Sequence, residues 1–327
     1  MDKVIRIPFD KLHGLGNDFI VTDAERRRSP QPGRVLLGGR TVNAGFLRRL
    51  AIAICERTTG AGADGFLLVT SARSPENRAR VRFFNADGSE AEMSGNGIRC
   101  VGGHLLSREP GRYPLQIETK AGVKTLDCVK EGEGRWVLRV TMGRPILDAA
   151  RIPFHAKNAS PPLVGYPLLI AGKKHRVTLT SMGNPHCSLF VSNFEHINWR
   201  ELGRRIEMNP QFPNRTNVEF VKVISKQEIE VKFWERGVGE TASSGTGSCA
   251  AAAAAILNGF TGPRVRVRTL RGHLEVSWPD DGEMTLTGPA ERIMTGIFDY
   301  WLTPSSTRLV EQAARVRRSK RAGGLPR

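Results

Sequence analysis

The chain has 327 residues, of which 39% are hydrophobic and 25% are charged, a composition typical of a globular protein with room for two domains. No apolar run is long enough for a membrane-spanning helix, and the charged N-terminus lacks the apolar stretch of a signal peptide, so we expect a cytoplasmic protein. The five cysteines include no C-x-x-C pair, which argues against a disulfide framework and against a zinc site.

The formal net charge of +17 raises the question of a nucleic-acid partner. The arginines are nevertheless scattered along the chain, and no helix-turn-helix, zinc-finger or RNA-binding motif accompanies them. The densest basic segment is residues 306–327, which we interpret as a solvated, flexible tail. We therefore expect no specific nucleic-acid partner, and nonspecific polyanion contact by the tail is the alternative.

In chain order, the first informative segment lies in residues 79–106. Residues 79–84 alternate or run apolar, as a strand does, and a polar, glycine-rich loop follows them. The loop ends in Ser94-Gly-Asn-Gly97, and residues 98–106 have helical character. Short strands are predicted next, at 114–119, 123–128 and 135–141.

The same order recurs 150 residues further along the chain. Residues 229–234 are typical of a strand, Ser244-Gly-Thr-Gly247 repeats the Ser-Gly-x-Gly turn, and the alanine-rich residues 248–257 predict a buried helix. Strands are predicted again at 264–269, 272–278 and 283–287. This duplication predicts an α+β fold of two pseudo-symmetric domains, each a curved, mostly antiparallel, barrel-like sheet around a central helix, with a ligand cleft between them.

The repeated turn indicates what the two halves do together. Ser94 and Ser244 occupy the positions of helix N-caps, and the glycines after them leave backbone amides free to hold an anion. Plain N-capping explains either serine taken alone. Inverting the configuration of an α-carbon requires a base on one face of the carbon and an acid on the other. Two such turns, one on each face, would supply both groups. No lysine lies in a pyridoxal phosphate context and no metal-ligand cluster is visible, so we expect a reaction without a cofactor or a metal.

Several segments together carry a resemblance to a known family. They are Phe9-Asp-Lys-Leu-His-Gly-Leu-Gly-Asn-Asp-Phe19, Gly62-Ala-Asp-Gly65, Phe84-Asn-Ala-Asp-Gly-Ser-Glu90, Met93-Ser-Gly-Asn-Gly-Ile-Arg-Cys100, Met182-Gly-Asn-Pro-His-Cys187, Asn217-Val-Glu-Phe220, and Glu235-Arg-Gly-Val-Gly-Glu-Thr241 with Ser244-Gly-Thr-Gly247. These motifs and the order in which they occur resemble those of the diaminopimelate epimerases, which are cofactor-independent enzymes of the proline racemase-like fold. The resemblance implies a first domain of residues 1–143 with 291–305 and a second domain of residues 144–290. The tail, 306–327, lies outside the match.

The resemblance also implies which residues form the site. The two catalytic positions would be Ser94 and Ser244, supported by His186 and Glu235. Backbone amides would hold the reacting carboxylate at Gly95, Asn96, Gly245 and Thr246. The remaining substrate-binding residues would be Asn17, Asn85, Asn184, Asn217, Glu235 and Arg236, with the arginine placed for the distal carboxylate. Taken singly, each of these residues also has a structural explanation, such as a turn asparagine or a satisfied histidine. The family further implies a small-molecule partner and a homodimer.

The chain departs from the family at the two catalytic positions, where the family has a thiol/thiolate pair of cysteines and this chain has serines. A thiol titrates near pH 8.5, whereas a serine hydroxyl is a far weaker acid. Three interpretations stay open: an engineered trap, a natural homologue with weak or altered chemistry, or a noncatalytic amino-acid-binding pseudoenzyme. The resemblance favours an isomerase that converts LL-2,6-diaminopimelate to the meso form, in lysine and peptidoglycan biosynthesis. Racemisation of another amino acid is the alternative within the same fold.

Overall fold

Strands make up most of the protein, and four α-helices accompany them in the part of the chain that the structure describes. A computed structural model describes residues 3–25, 34–155, 161–279 and 282–302. The helices are α1 (Ala44–Cys55), α2 (Gly95–Leu106), α3 (Trp199–Glu207) and α4 (Gly245–Leu257), and short 3-10 helices cover Ala149–Arg151 and Phe194–His196. The strands are β1 (Lys3–Gly14), β2 (Asn17–Asp23), β3 (Val35–Leu37), β4 (Arg40–Val42), β5 (Gly65–Thr70), β6 (Ala79–Asn85), β7 (Glu90–Ala91), β8 (Leu115–Thr119), β9 (Gly122–Gly132), β10 (Arg135–Gly143), β11 (Tyr166–Ile170), β12 (Lys173–Ser181), β13 (Pro185–Phe190), β14 (Asn217–Ser225), β15 (Glu228–Glu235), β16 (Gly239–Thr241), β17 (Arg264–Thr269), β18 (Gly272–Ser277) and β19 (Met284–Leu302).

The described residues divide into two compact units. The first contains the residues up to Leu138 together with those from Ala290 onward, and the second is Arg139–Pro289. Leu138 lies in β10 and Ala290 lies in β19, so the chain passes between the units within a strand each time. The domain boundaries predicted at 143/144 and 290/291 stay a prediction. The predicted basic tail, 306–327, lies outside the described residues.

In the first unit, eight strands pair into a closed ring around α2. The order of pairing is β1, β2, β5, β6, β8, β9, β10, β19 and back to β1. The pairs β2–β5 and β6–β8 are parallel, and β1–β2, β5–β6, β8–β9 and β1–β19 are antiparallel. Every residue of α2 is buried, and its glycines let the strands approach closely. A Cβ atom on Gly103 would lie only 2.6 Å from Cε3 of Trp136 in β10.

The second unit repeats this plan around α4. Here β13–β14 and β15–β17 are the parallel pairs, at the places that correspond to β2–β5 and β6–β8. The pairs β12–β13, β14–β15, β17–β18 and β18–β19 are antiparallel. The alanines of α4 from Ala250 to Ala255 are fully buried, because their small side chains let the helix pack directly on the surrounding strands. The predicted fold class, a curved and mostly antiparallel sheet around one helix in each half, is confirmed.

The helices differ from the sequence prediction in two respects. Both central helices begin three residues before the predicted 98–106 and 248–257, because the glycines after each serine form the first helical turn. The outer helices α1 and α3 were not predicted, although each has a capping signal. Asn43 Oδ1 accepts from Phe46 N at 2.9 Å, and Asn198 Oδ1 accepts from Glu201 N at 3.3 Å. Asparagine is among the preferred residues at this position.

No helix within the described ranges is long and apolar enough to cross a membrane. The five cysteines all lie in those ranges, and none forms a disulfide. Four of them are buried, and Cys128 is half-buried. Burial raises the pKa of the Cys100 thiol to about 12, so this thiol stays protonated at neutral pH and cannot serve as a base in α2.

A charged cluster lies near the C-terminal end of α2, about 14 Å along the helix from its first turn. Its His104 and Asp10 are buried, whereas Asp23 and Arg108 are exposed. His104 Nδ1 lies 2.7 Å from Asp10 Oδ2, and His104 Nε2 lies 3.1 Å from Asp23 Oδ2. Burial opposes the charge of His104, but hydrogen bonds to Asp10 and Asp23 outweigh it and raise the pKa of the imidazole above 6.5. Arg108 donates to the same Asp10 oxygen at 2.9 Å. The first unit thus contains an ionic network around the buried pair of His104 and Asp10, and this network is remote from Ser94.

Substituting Asp10 by asparagine is expected to lower the free energy of unfolding by about 2 kcal/mol at pH 6, because His104 and Arg108 lose the buried carboxylate that both contact and keep only the exposed Asp23. The pKa of His104 is higher in the folded protein than in the unfolded chain, where it is about 6.5. The protonated ring therefore stabilises the fold fully below pH ~6.5, and this stabilisation is lost as pH rises through the folded pKa. Urea unfolding should therefore show a difference between the wild type and D10N that narrows from pH 6 to pH 9. A difference that widens over this range would contradict the ionic role of the cluster.

Candidate active site

Each unit presents one serine-capped helix, and the two caps have the same geometry. Ser94 has φ −133° and ψ 127°, and its Oγ accepts from Gly97 N at 3.1 Å. Ser244 has φ −135° and ψ 127°, and its Oγ accepts from Gly247 N at 3.2 Å. Both serines are therefore N-caps, as the sequence predicted. The first-turn amides after each cap carry the partial positive charge of a helix N-terminus, which favours a bound carboxylate.

The third residue of each helix is a glycine because the space beside it is filled. A Cβ atom on Gly97 would lie 3.1 Å from Cε1 of Phe83, and one on Gly247 would lie 2.9 Å from Cδ1 of Phe233. The Gly247 Cβ would also lie 3.0 Å from Ser244 Oγ and 3.1 Å from an oxygen of Glu219. Side chains at this position would thus displace the cap hydroxyl itself.

Replacing Gly247 by alanine is expected to lower turnover by at least 10-fold through displacement of the Ser244 hydroxyl, since misplacement by about 1 Å can cost ~10²-fold. The matched control is Gly45→Ala in the first turn of α1, where the nearest atom is an Asn43 oxygen at 3.4 Å. The control should gain about 0.5–1 kcal/mol of stability and leave turnover unchanged. Steady-state rates and melting temperatures of both variants test this, and equal rates in G247A and wild type would contradict it.

In the second unit, Glu235 lies at the end of β15 beside the Ser244 cap. Its Oε1 accepts from Thr241 Oγ1 at 2.8 Å, and the Ser244 hydroxyl donates to the same carboxylate. Burial raises the pKa of Glu235 above 4.5, although both hydrogen bonds and the interaction with the His186 charge act to lower it. A carboxylate with a raised pKa is a stronger base, and it is in direct contact with the cap hydroxyl.

His186 lies in β13 and is almost fully buried, with both ring nitrogens engaged. Nδ1 lies 2.6 Å from Glu219 Oε1, and Nε2 lies 3.0 Å from Asn184 Oδ1. Ser188 Oγ donates to the other oxygen of Glu219 at 3.3 Å. Glu219 was not among the predicted site residues. The signal that could have identified it is a carboxylate in the otherwise apolar run Asn217-Val-Glu-Phe-Val221.

The remaining predicted residues of the second unit have hydrogen-bond partners other than His186 and Glu219. The Asn217 amide accepts from Arg236 N at 3.0 Å and donates to Pro185 O at 3.0 Å, so it holds the turn after β15. The Arg236 guanidinium donates to Asn214 O at 3.1 Å and is exposed, which leaves it donors for a ligand. Gly245 and Thr246 form the first turn of α4.

In the first unit, hydrogen bonds connect Asn17 and Asn96. Asn96 Nδ2 donates to Asn17 Oδ1 at 3.2 Å, and Asn17 Nδ2 donates to Asp64 Oδ2 at 2.8 Å. Beneath them lies Arg99, a fully buried arginine that donates to Asn96 Oδ1 at 2.7 Å and to Gly95 O at 2.9 Å. Sequence reasoning missed Arg99, which fixes the orientation of the Asn96 amide. Asn85 at the end of β6 pairs in register with Gly65, the residue after Asp64, and its Nδ2 donates to Ser89 Oγ at 2.9 Å.

Strand register shows which residues correspond in the two units. His186 pairs with Asn217 between β13 and β14, as Phe19 pairs with Gly65 between β2 and β5. By the same registers, Glu219 corresponds to Leu67, Ser188 to Val21 and Glu235 to Asn85. The ionisable groups near Ser244 thus have no ionisable counterpart at the matching positions near Ser94. Although the fold is duplicated, the side chains at these positions around Ser94 and Ser244 differ in their chemistry. Among the described residues, no group of three or more His, Cys, Asp or Glu side chains could hold a metal ion.

Known proteins share both the sequence and the fold of this chain. The sequence profile described as diaminopimelate epimerase matches residues 9–147 and 178–293. The diaminopimelate epimerase of Pelotomaculum thermopropionicum is 42% identical over 296 residues, covering 89% of this chain and 99% of that relative. The one of Desulforudis audaxviator is 42% identical over 293 residues, covering 88% and 98%.

Solved structures show the same fold at lower sequence identity. A hydroxyproline epimerase from Agrobacterium vitis, with bound trans-4-OH-L-proline, superposes with a TM-score of 0.65 at 16% identity, covering 93% of this chain and 94% of that one. A predicted epimerase from Pseudomonas aeruginosa gives a TM-score of 0.59 at 15% identity, covering 89% and 98%. The resemblance identified from the sequence motifs is confirmed, and the chain belongs to the diaminopimelate epimerase family of isomerases.

Proposed function

We propose that the chain interconverts LL- and meso-2,6-diaminopimelate without a cofactor, as a step of lysine and peptidoglycan precursor synthesis. The observation that carries this proposal is the contact of the Ser244 hydroxyl with the Glu235 carboxylate, at the N-terminus of a helix whose counterpart begins at Ser94. A half-buried carboxylate of raised pKa beside a positively polarised helix end is suited to removing a proton next to a bound carboxyl group.

Substrate binding is assigned to polar groups of both half-sites. The reacting carboxylate accepts hydrogen bonds from the backbone amides of Gly95, Asn96, Gly245 and Thr246. The exposed Arg236 guanidinium binds the distal carboxylate, and the amides of Asn17, Asn85, Asn184 and Asn217 orient the amino groups and the chain of the substrate. A second carboxylate on the substrate explains the exposed arginine, so proline-type substrates fit this site less well.

Proton removal is assigned to Ser244 acting with Glu235. The Ser244 hydroxyl gives its proton to the Glu235 carboxylate as its oxygen takes the proton from the α-carbon, leaving neutral Glu235 and a carbanion beside the helix amides. Ser94 gives its hydroxyl proton to the opposite face as its oxygen takes a replacement proton from solvent, and Glu235 then releases its proton to solvent; both side chains are partly exposed. His186 supports the transfer. This route needs no free serine alkoxide, which a hydroxyl could not supply at neutral pH.

Product analysis tests the proposal directly. Chiral chromatography of LL-diaminopimelate incubated with the chain should show meso-diaminopimelate forming, and a Ser94→Ala/Ser244→Ala variant should not form it. If the wild type forms none, the activity is excluded. Parallel incubations with L-glutamate and L-proline test the alternative function, racemisation of another amino acid. This alternative predicts that one of these substrates is racemised and that diaminopimelate is not.

A noncatalytic diaminopimelate-binding protein is the second candidate function, and serine at both catalytic positions favours it. Titration calorimetry distinguishes this candidate, because it predicts heat of binding with no meso product. Substitution of the exposed Arg236 by leucine should then weaken binding by about 10-fold or more, since a charge-assisted contact contributes ~1.5–3 kcal/mol.

The proposed partners are the small-molecule substrate and a second copy of the chain, with no specific nucleic-acid partner, and the proposed location is the cytoplasm. Exposed apolar side chains support the homodimer: on the outer face of β19, Ile297 is 65% exposed and Trp301 is 53% exposed. Such side chains mark association surfaces when they cluster. Sedimentation of wild type and Ile297→Lys should show a dimer that the substitution dissociates.

A further inference from the structure

A buried carboxylate outside the predicted site is in contact with the histidine within it. Glu219 is 1% exposed, and its Oε1 lies 2.6 Å from Nδ1 of His186, which is equally buried. Its other oxygen accepts from Ser188 Oγ at 3.3 Å. A carboxylate in this environment is costly unless its oxygens are satisfied, and both oxygens of Glu219 have a partner.

The duplicated fold provides an internal comparison for these residues. In the first unit the positions that correspond to His186, Ser188 and Glu219 hold Phe19, Val21 and Leu67, all of them buried and apolar. The same backbone therefore packs well with three apolar side chains. The polar set of the second unit is not required for forming a barrel of this kind, and its occurrence beside Ser244 points to chemistry.

The geometry of Glu219 determines how His186 presents its protons. A carboxylate accepts only, so the short contact requires a proton on Nδ1. Nε2 is then the ring nitrogen that can exchange a proton, and it lies 3.0 Å from the Asn184 amide, which can present its oxygen to a protonated Nε2 or its NH2 group to an unprotonated one. Glu219 Oε1 also lies against the first turn of α4, 3.1 Å from where a Gly247 Cβ would be, so the histidine is held in a fixed position relative to the Ser244 cap.

We propose that Glu219 is a positioning residue for proton transfer: it fixes the His186 tautomer with the proton on Nδ1 and directs Nε2 toward the ligand. The effect of Glu219 on turnover rests on the proposed function, whereas its effect on the His186 tautomer does not. Carboxylate partners of this type orient imidazoles in many sites, and their loss costs turnover through the wrong tautomer.

Two substitutions separate the charge of Glu219 from its shape. Glu219→Gln keeps an acceptor for the Nδ1 proton without the charge, and Glu219→Leu introduces the residue of the first unit. Asp10→Asn is the matched control, because Asp10 is also a buried carboxylate bound to a buried histidine, remote from Ser94. We expect kcat for diaminopimelate to fall by about 10-fold in E219Q and by 10²-fold or more in E219L, with KM within threefold of wild type. D10N should lower stability and leave kcat unchanged.

Nitrogen-15 NMR of the histidine rings tests the tautomer without reference to turnover, with the His186 signals identified by their loss in His186→Gln. In the wild type, neutral His186 should have its proton on Nδ1, and in E219L the proton should shift toward Nε2. A wild-type ring with its proton on Nε2 would overturn the proposal, as would E219Q and E219L with wild-type kcat. If E219L does not fold, the E219Q rate and the wild-type spectrum decide. A wild type that binds diaminopimelate without turnover would refute the proposed function alone, and the spectrum would still decide the tautomer.

Discussion

Replacing Glu235 by glutamine is expected to lower the rate of α-proton exchange of diaminopimelate by about 10²–10⁴-fold. Glutamine keeps the size of the side chain and the acceptor for Thr241, but it cannot take the proton that the Ser244 hydroxyl gives up. Exchange in the wild type requires ionised Glu235, so its rate should fall as pH drops through the raised pKa of this carboxyl, above 4.5. The acid limb of the pH–rate profile should be absent from the residual activity of E235Q.

The matched control is Glu240→Gln in β16, five residues along the same hairpin. Glu240 is exposed and pairs with Arg200 at 2.6 Å, so its loss should cost at most about 1 kcal/mol of stability and leave exchange unchanged. Rates in E235Q within threefold of the wild type would exclude Glu235 as the proton acceptor. Equal losses in E235Q and E240Q would instead attribute the effect to the hairpin.

The double substitution Ser94→Cys/Ser244→Cys is expected to raise the exchange rate by about 10²–10⁴-fold. A thiol ionises near pH 8.5 and can be lowered further at a helix N-terminus, whereas the hydroxyl depends on a neighbouring base. Stability should fall, because a Ser N-cap contributes about 0.5–2 kcal/mol to its helix. Exchange rates and urea unfolding of the same protein preparations measure both effects.

The two single variants should differ. Glu235 serves the hydroxyl of Ser244, but the position that corresponds to Glu235 in the first unit is Asn85, so S94C should gain more activity than S244C. A double variant no faster than the wild type would contradict the assignment of both serines. A larger gain in exchange rate from S244C than from S94C would contradict the inference that only Ser244 has a neighbouring carboxylate base.

The duplicated architecture was predictable because it depends on local signals. The Ser-Gly-x-Gly turn is a helix N-cap in any context, and the alanine run of α4 predicts a helix packed closely on all sides. The 150-residue offset between Ser94 and Ser244 then predicts the same fold twice. These features need no knowledge of tertiary contacts, and the structure confirms them.

Residues whose role depends on a distant partner could not be predicted from the sequence. Glu219 is distinguished only by its pairing with His186 across β13 and β14. Arg99 contacts Gly95 and Asn96 within its own helix, and only its complete burial distinguishes it. The pairing of His104 with Asp10 joins residues 94 positions apart. Strand register brings Glu219 to His186, and the packing of α2 against β1 brings His104 to Asp10. Hydrophobic periodicity within a single segment defines neither. The helix α1 was missed for another reason, since its Asn43 cap lacks a glycine-rich turn that would have drawn attention to it.

The most direct test of the account is hydrogen exchange by the unaltered chain. Incubating it with LL-diaminopimelate in deuterium oxide should place deuterium at the α-carbon of the meso product, faster than in an enzyme-free blank, and Ser244→Ala should abolish that excess. Deuterium incorporation no faster than the blank, in a chain that calorimetry shows to bind the substrate, would contradict proton transfer by Ser244 and Glu235.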